Sequence, residues 1–182
     1  MGALVLLLAL AGCGGATDSP SASSKVALSF KSPVLVSGKT IPSRYKCDVA
    51  NSWLPLRWGA LPAGTGELAI YVARFSNLQS GPNGSKRARL LAQALIVGLK
   101  PTLHELPAGK LPHGALVGEY EAGTEHIPFC PPHDASQSFL FELYALPGHL
   151  NINKGTQGGA LLNKLNSESL GAGTFSASYA KT

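Results

Sequence analysis

The sequence predicts a mostly β protein, a β-sandwich of antiparallel sheets with one or two short peripheral helices. Two apolar runs, Glu67–Phe75 and Phe139–Leu146, have the aromatic and β-branched composition of buried strands. Long connections rich in glycine and proline separate such runs, and 21 Gly and 13 Pro occur among 182 residues. Helical spacing is clear only late in the chain. This arrangement is typical of a sandwich rather than of alternating β and α units.

The predicted strands begin with Val26–Phe30, and Glu67–Phe75 is the central one. Leu90–Leu99 has a composition that also suits a helix. Its Ile-Val pair, with Gly98 and Pro101 beyond, favours a buried strand.

The second half of the chain adds two strands and a helix. Phe139–Leu146 is the third long strand, and Thr174–Ala180 alternates as a terminal one. Gly159–Leu170 contains leucines at helical spacing, and we expect Gly171 to end that helix.

The first twelve residues are apolar and too few to span a bilayer, which is typical of a secretory signal. They end in Leu-Ala-Gly followed by Cys13, which resembles a bacterial lipobox. This motif implies cleavage before Cys13 and acylation of that residue, palmitate included. No Lys or Arg precedes the apolar run, unlike an ordinary signal. The alternative is a buried apolar N-terminal strand or helix.

Residues 13–24 form the predicted lipidated cysteine and a flexible tether, since Gly, Ser, Ala, Thr and Pro predominate after Cys13. Residues 25–182 are long enough for one domain with a core. The expected location is the bacterial cell envelope, on the extracytoplasmic side, with the membrane as a partner through the lipid anchor.

The formal charge of +5 favours anionic partners mildly and does not indicate nucleic acid binding. The densest basic segment is Lys86–Arg89, after a turn-rich run. A solvated loop explains this segment better than a phosphate or lipid-headgroup patch.

Three cysteines in an exported chain leave one unpaired unless Cys13 is acylated. Cys47 and Cys130 are then free to form a disulfide, which would contribute roughly 4 kcal/mol in the chain-entropy model. The alternative is two buried free thiols.

Catalytic and metal chemistry have little support in the sequence, so we predict no enzyme activity, no cofactor and no metal site. His133 and Asp134 suit a turn better than a catalytic dyad, because no nucleophile motif accompanies them. The other histidines lack metal-ligand spacing; they are His104, His113, His126 and His149.

Two segments together carry a family resemblance. The first, Ile41–Trp58, contains Ile-Pro, Tyr-Lys-Cys-Asp, an Asn and Pro-Leu-Arg-Trp. The second combines Cys130-Pro131-Pro132 with the strand Phe-Glu-Leu-Tyr-Ala-Leu, which ends at Leu146. In this order they resemble the phosphatidylethanolamine-binding protein family, in its bacterial Raf kinase inhibitor-like branch. The similarity spans most of the chain from Leu28 to Tyr179.

The resemblance implies a β-sandwich with one small pocket for anionic groups such as phosphate or a phospholipid headgroup. In the family this pocket is built from an Asp-Pro-Asp-x-Pro loop, a His-Trp strand, the Cys-Pro-Pro loop and a second histidine. Here Arg74 begins the segment in place of the acidic loop, while Gln93 and Gln137 replace the two histidines. The candidate pocket residues are therefore Arg74, Gln93, Cys130, Pro131, Pro132, His133 and Gln137.

These observations predict a lipid-anchored extracytoplasmic binding protein with a degenerate pocket for an anion or a phospholipid headgroup. One alternative is a protein-interaction module, for instance an inhibitor of an envelope protease or kinase. A hydrolase centred on His133 is the less favoured alternative.

Overall fold

The computed structural model describes residues 25–45, 54–75, 79–80, 86–87, 90–109, 116–117, 137–152 and 158–179. In chain order, the first elements are β1 (Val26–Ala27), β2 (Phe30–Lys31), a 3₁₀ helix (Ser43–Tyr45), β3 (Leu56–Trp58), β4 (Glu67–Phe75), β5 (Gln79–Ser80) and β6 (Lys86–Arg87). They are followed by β7 (Leu90–Leu99), β8 (Glu105–Leu106), β9 (Leu116–Val117), β10 (Gln137–Leu146), α1 (Gly158–Glu168) and β11 (Gly171–Tyr179).

The described strands form a large sheet, a small sheet and a hairpin, which confirms the predicted mostly β fold. The large sheet has the order β1-β11-β10-β4-β7-β9, and the small sheet has the order β2-β3-β8. β5 and β6 pair with each other. The pair β1 and β11 is parallel, so the large sheet is mixed rather than purely antiparallel.

The long strands lie where the sequence predicted them, and β4 and β7 have the predicted limits. β10 and β11 begin two and three residues before their predicted starts. The predicted strand Val26–Phe30 is instead divided between two sheets, because Leu28 N donates to Ala172 O of β11 while Gly59 N donates to Ser29 O. The chain thus leaves the large sheet and enters the small one within a few residues.

Apolar side chains on both faces of the large sheet are buried. On its inner face, Ile70, Phe141 and Phe175 belong to the core shared with the small sheet. On its outer face, Tyr71 and Tyr144 belong to a second core that includes helix residues. This two-sided burial explains why the sequence of β4 is almost continuously apolar.

Helix α1 packs its leucines onto the outer face of the large sheet. Leu161 and Leu165, four residues apart, are fully buried in the outer core. The helix ends at Glu168, and Gly171 is the first residue of β11 rather than the helix stop that the sequence predicted. A Cβ at Gly171 would lie 2.8 Å from Val26 O, so this glycine permits close approach of β1.

Strand β7 is irregular at two positions in its pairing with β4. Between the pairs Leu68 with Leu99 and Ile70 with Ile96, two residues of β7, Val97 and Gly98, lie opposite Ala69, and Gly98 has a φ of +75°. Such a positive φ favours glycine. A second register shift lies between Val72 and Ala73, and it leaves Gln93 as the extra residue.

Candidate functional site

Three of the seven predicted pocket residues lie in the described part of the chain, toward the same end of three neighbouring strands of the large sheet. Arg74 is near the end of β4, Gln137 begins β10 and Gln93 lies in β7. These strands are neighbours, with β4 in the middle. Cys130, Pro131, Pro132 and His133 lie outside the described residues, as do Cys13 and Cys47. The predicted roles of these residues, in the pocket, in lipidation at Cys13 and in a disulfide between Cys47 and Cys130, stay predictions.

Arg74 is a half-buried cation beside the inner core. It pairs across the sheet with Phe139, which is fully buried, and with Leu91 of β7. Strand alternation places Arg74 on the same face as Val72, which is the inner face. Among the described residues Arg74 has no carboxylate partner. Placing a cation at the edge of an apolar core costs free energy unless an anion or water forms hydrogen bonds with it.

Gln137 is buried, with 7% of its surface exposed. Its side-chain Nε2 donates a hydrogen bond to the main-chain carbonyl of Phe75. Gln137 also pairs with Tyr179 of β11. The amide therefore links the first residue of β10 to the last residue of β4.

Gln93 is half-buried and occupies the bulge of β7. Its Nε2 donates to Ala92 O at 3.0 Å. Both glutamine side chains thus donate to the main chain, whereas Arg74 makes no such contact within the described residues. The sequence indicated neutral donors at these positions, but the main-chain contacts depend on strand register and could not be predicted from it.

A buried ion-pairing group that the sequence analysis missed lies at the opposite end of β4. Glu67 Oε2 is 2.7 Å from His149 Nδ1, and Leu150 N donates to Glu67 Oε1 at 3.4 Å. Glu67 is 7% exposed, so these contacts satisfy a carboxylate that would otherwise be buried without a partner. In the sequence, the available signal for this buried carboxylate was an acidic residue, Glu67, at the start of an almost continuously apolar strand.

The outer face of β10 contains a second polar group that the sequence analysis missed. Glu142 is half-buried and lies opposite Tyr71 and near Tyr144, two residues of the outer core to which α1 also contributes. Burial raises the pKa of Glu142, and the nearby Tyr144 hydroxyl lowers it in part. Burial also raises the pKa of Tyr144, as does the adjacent Glu142. Within the described residues, neither Glu142 Oε2 nor the Tyr144 hydroxyl reaches a partner with hydrogen-bond geometry.

Within the described residues, no three His, Cys, Asp or Glu side chains lie close enough together to hold a metal ion. The helix that the structure describes is too short and too polar to cross a bilayer.

The fold defines a class: a β-sandwich whose large sheet packs on a small sheet at one face and on a helix at the other. Residues 31–180 match the family model for phosphatidylethanolamine-binding proteins. The chain belongs to the phosphatidylethanolamine-binding protein family.

One curated relative and two solved structures extend this result. A UPF0098 protein from Methanothermobacter thermautotrophicus is 29% identical over 137 residues, which cover 72% of this chain and 84% of the relative. The structure of CT736 from Chlamydia trachomatis, described as a homologue of phosphatidylethanolamine-binding protein, superposes with a TM-score of 0.68. It is 24% identical and covers 86% of this chain and 99% of its own.

The second structure is YbcL from E. coli, described as a new member of the mammalian family. It has a TM-score of 0.66 and 21% identity, and the match covers 85% of this chain and 99% of YbcL. At these identities the two structures support the sandwich fold itself.

Proposed function

We propose that this protein is a lipid-anchored extracytoplasmic binding protein of the family's bacterial Raf kinase inhibitor-like branch. Its pocket lies where β4 ends and β7 and β10 begin, and it holds a small anionic ligand such as phosphate or a phospholipid headgroup. One observation carries the proposal: at this strand end both glutamines donate to the main chain, while Arg74 has no described carboxylate partner.

Arg74 is the proposed ligand-binding cation. A guanidinium presents several donors in a planar fork that matches a phosphate or carboxylate, and charged hydrogen bonds are about twice as strong as neutral ones. Its position beside the buried Phe139 lowers the local polarity, which strengthens the attraction to an anion.

The two glutamines have a positioning role in this proposal. Gln137 fixes the start of β10 to Phe75, the residue after Arg74. Gln93 stabilises the bulge opposite Val72 and Ala73. The proposal therefore differs from a pocket in which charged histidines contact the ligand, since here one arginine supplies the charge.

The remaining parts of the proposal rest on the sequence. Acylation of Cys13 would hold the protein at the membrane, and a disulfide between Cys47 and Cys130 would join the Cys-Pro-Pro loop to the Ile41–Trp58 segment. Intact mass measurement with and without reduction tests both features. An unmodified N-terminus, or two alkylatable thiols in the unreduced protein, would refute the corresponding feature.

NMR titration of the full-length chain with inorganic phosphate and phosphorylethanolamine tests the pocket. We expect millimolar ligand to shift the backbone amides of Arg74, Gln93 and Gln137. Arg74→Gln should remove the shifts. Arg44→Gln is the matched control, because Arg44 lies over the Tyr45 ring at 4.9 Å. Arg44 is not part of the strand-end site, which consists of Arg74, Gln93 and Gln137. Unchanged amides at this strand end, with either ligand, would exclude the small-anion pocket.

We also propose binding rather than catalysis. A panel of ester and phosphoester substrates, compared between the parent protein and His133→Ala, tests this. Turnover that depends on His133 would favour the hydrolase alternative.

A further inference from the structure

We propose a second anion-binding site, for a phosphate-type oxyanion, on the outward face of the small sheet. A depression of about 570 Å³ lies there and is lined by residues that include Ser29, Lys31, Arg57, Trp58, His104 and Glu105. None of these residues belongs to the strand-end site, so this inference does not depend on the function proposed above.

The small sheet arranges its charged side chains in a row. Lys31 of β2 lies directly opposite Arg57 of β3, and Arg57 lies directly opposite Glu105 of β8. Phe30, Leu56 and Leu106, the alternate residues of these strands, are buried in the inner core. Strand alternation therefore directs the three charged side chains outward.

The pair Lys31 and Arg57 is the observation that points to an anion. Like charges directly opposite each other in a sheet are destabilising. Glu105 offsets one of these charges, because its Oε2 accepts a hydrogen bond from Arg57 Nε at 2.9 Å. Within the described residues Lys31 has no carboxylate partner. An oxyanion beside Lys31 and Arg57 would offset the remaining repulsion.

The geometry of Arg57 leaves donors for such a ligand. Glu105 contacts Nε, and the two Nη atoms make no hydrogen bond to another residue in the described part of the chain. Arg57 and Glu105 side chains are 58% and 57% exposed, so the row is accessible from solvent. The terminal nitrogens of a guanidinium bind two oxygens of one phosphate.

The segment that contributes His104 is held by Trp58. Trp58 N donates to His104 O at 3.1 Å, and the indole Nε1 donates to Leu103 O at 2.7 Å. Trp58 itself is 6% exposed and packs in the inner core. The His104 side of the depression is therefore fixed before any ligand binds, which lowers the cost of ordering the site.

The free donors favour a phosphate-type oxyanion over a carboxylate. Lys31 and the two Nη atoms of Arg57 provide charged donors, and Ser29 provides a hydroxyl donor at the same depression. A phosphomonoester presents three strong acceptor oxygens, whereas a carboxylate presents two. Free phosphate and the phosphodiester of a lipid headgroup both present phosphate oxygens to these donors.

The test is an NMR titration of the full-length chain with inorganic phosphate, and with acetate as the carboxylate comparison. We expect phosphate to shift the amides of Lys31, Arg57 and Glu105 at lower concentration than acetate. Lys31→Gln and Arg57→Gln should each weaken binding about tenfold, and their combination should abolish it. Lys39→Gln, which removes an exposed lysine elsewhere, is the matched control.

A second arm identifies the source of the phosphate. Vesicles of phosphatidylglycerol and phosphatidylcholine are sedimented with the parent protein, with the Lys31→Gln, Arg57→Gln double variant and with Lys39→Gln. Weaker sedimentation of the double variant alone supports a lipid headgroup as the ligand. Equal sedimentation of all three, together with phosphate shifts, supports free phosphate.

The proposal is overturned if phosphate leaves these amides unshifted. It is also overturned if the shifts persist in the double variant, or if acetate binds as well as phosphate does. Shifts confined to Arg74, Gln93 and Gln137 would support the strand-end pocket and reject this second site.

Discussion

The side chain of Gln137 donates a hydrogen bond to the main-chain carbonyl of Phe75, and so joins the start of β10 to the end of β4. Gln137 is buried at this contact, while Arg74 beside it lacks a described carboxylate partner. Gln137, which the sequence analysis predicted to line the ligand pocket, therefore has a structural role in joining two strands. Measurements of the free energy of unfolding can separate this structural role from a role in ligand binding.

Gln137→Ala should destabilise the protein by about 1 to 3 kcal/mol, because it leaves the Phe75 carbonyl without its partner in a buried setting. The measurement is urea unfolding followed by circular dichroism. Gln93→Ala is the comparison, since Gln93 is more exposed and donates to its own neighbour Ala92. An equal loss in both variants would contradict the assigned role of Gln137.

Gly173→Ala should be strongly destabilising, because a Cβ there would lie 2.5 Å from Leu28 O and 2.9 Å from Phe30 Cβ. We expect a loss above about 2 kcal/mol, as for other overpacked sites. Gly159→Ala in α1 is the matched control, since nothing lies within 4 Å of its added Cβ. That change should stabilise the protein by about 0.5 to 1 kcal/mol. Comparable losses in the two variants would refute the close approach of β11 to the segment after β1.

Glu142→Gln should change how stability depends on pH. Burial raises the pKa of Glu142 above its usual 4.5, so the folded state binds this proton more tightly than the unfolded state does. The stabilisation of the folded state by protonated Glu142 is therefore fully present below about pH 4.5 and is lost as pH rises through the raised pKa.

At pH 7 we expect Glu142→Gln to be more stable than the parent protein by no more than about 1 kcal/mol, because partial solvent access screens the charge. The gain should vanish at pH 4, as measured by thermal unfolding across this range. Glu168→Gln, at an exposed helix position, is the control. A gain that is independent of pH would contradict the ionisation of Glu142 as its cause.

Glu67 and His149 should show energetic coupling. Their contact joins a side chain that is 9% exposed to one that is 64% exposed, at 2.7 Å. A double-mutant cycle with Glu67→Gln and His149→Ala should give a coupling energy of about 0.5 to 1 kcal/mol at pH 6. Additive losses would show that Leu150 N, and not His149, is the important partner of this carboxylate.

The sequence predicted the long strands well because two-sided burial leaves an unbroken apolar run, as in β4 and β7. It did not predict that Val26–Phe30 is divided between two sheets, since no turn residue marks the change at Leu28. The predicted strand Leu90–Leu99 included Gly98, but the sequence did not predict the bulge at Val97 and Gly98. Bulges depend on the pairing of two distant segments, which local composition does not specify.

The candidate site was predictable to a smaller extent. The structure places Arg74, Gln93 and Gln137 on the neighbouring strands β4, β7 and β10, and their role in ligand binding stays a prediction. The contacts of both glutamine amides depend on strand register and on the bulge. Tyr71 and Tyr144 beside Glu142 belong to the outer core to which α1 contributes, and strand alternation alone does not reveal this second layer.

The division of the N-terminal strand has a mechanical consequence. Any tension on the chain before Val26 first reaches the short parallel pairing with β11, where Val26 N and Leu28 N donate to Leu170 O and Ala172 O. Beyond it, Leu28 and Phe30 are buried in the inner core. The load would then pass to both sheets together, because β1 belongs to one and β2 to the other. A pull on the chain before Val26, such as the proposed lipid anchor would transmit, would thus be resisted by both sheets rather than by a single edge strand.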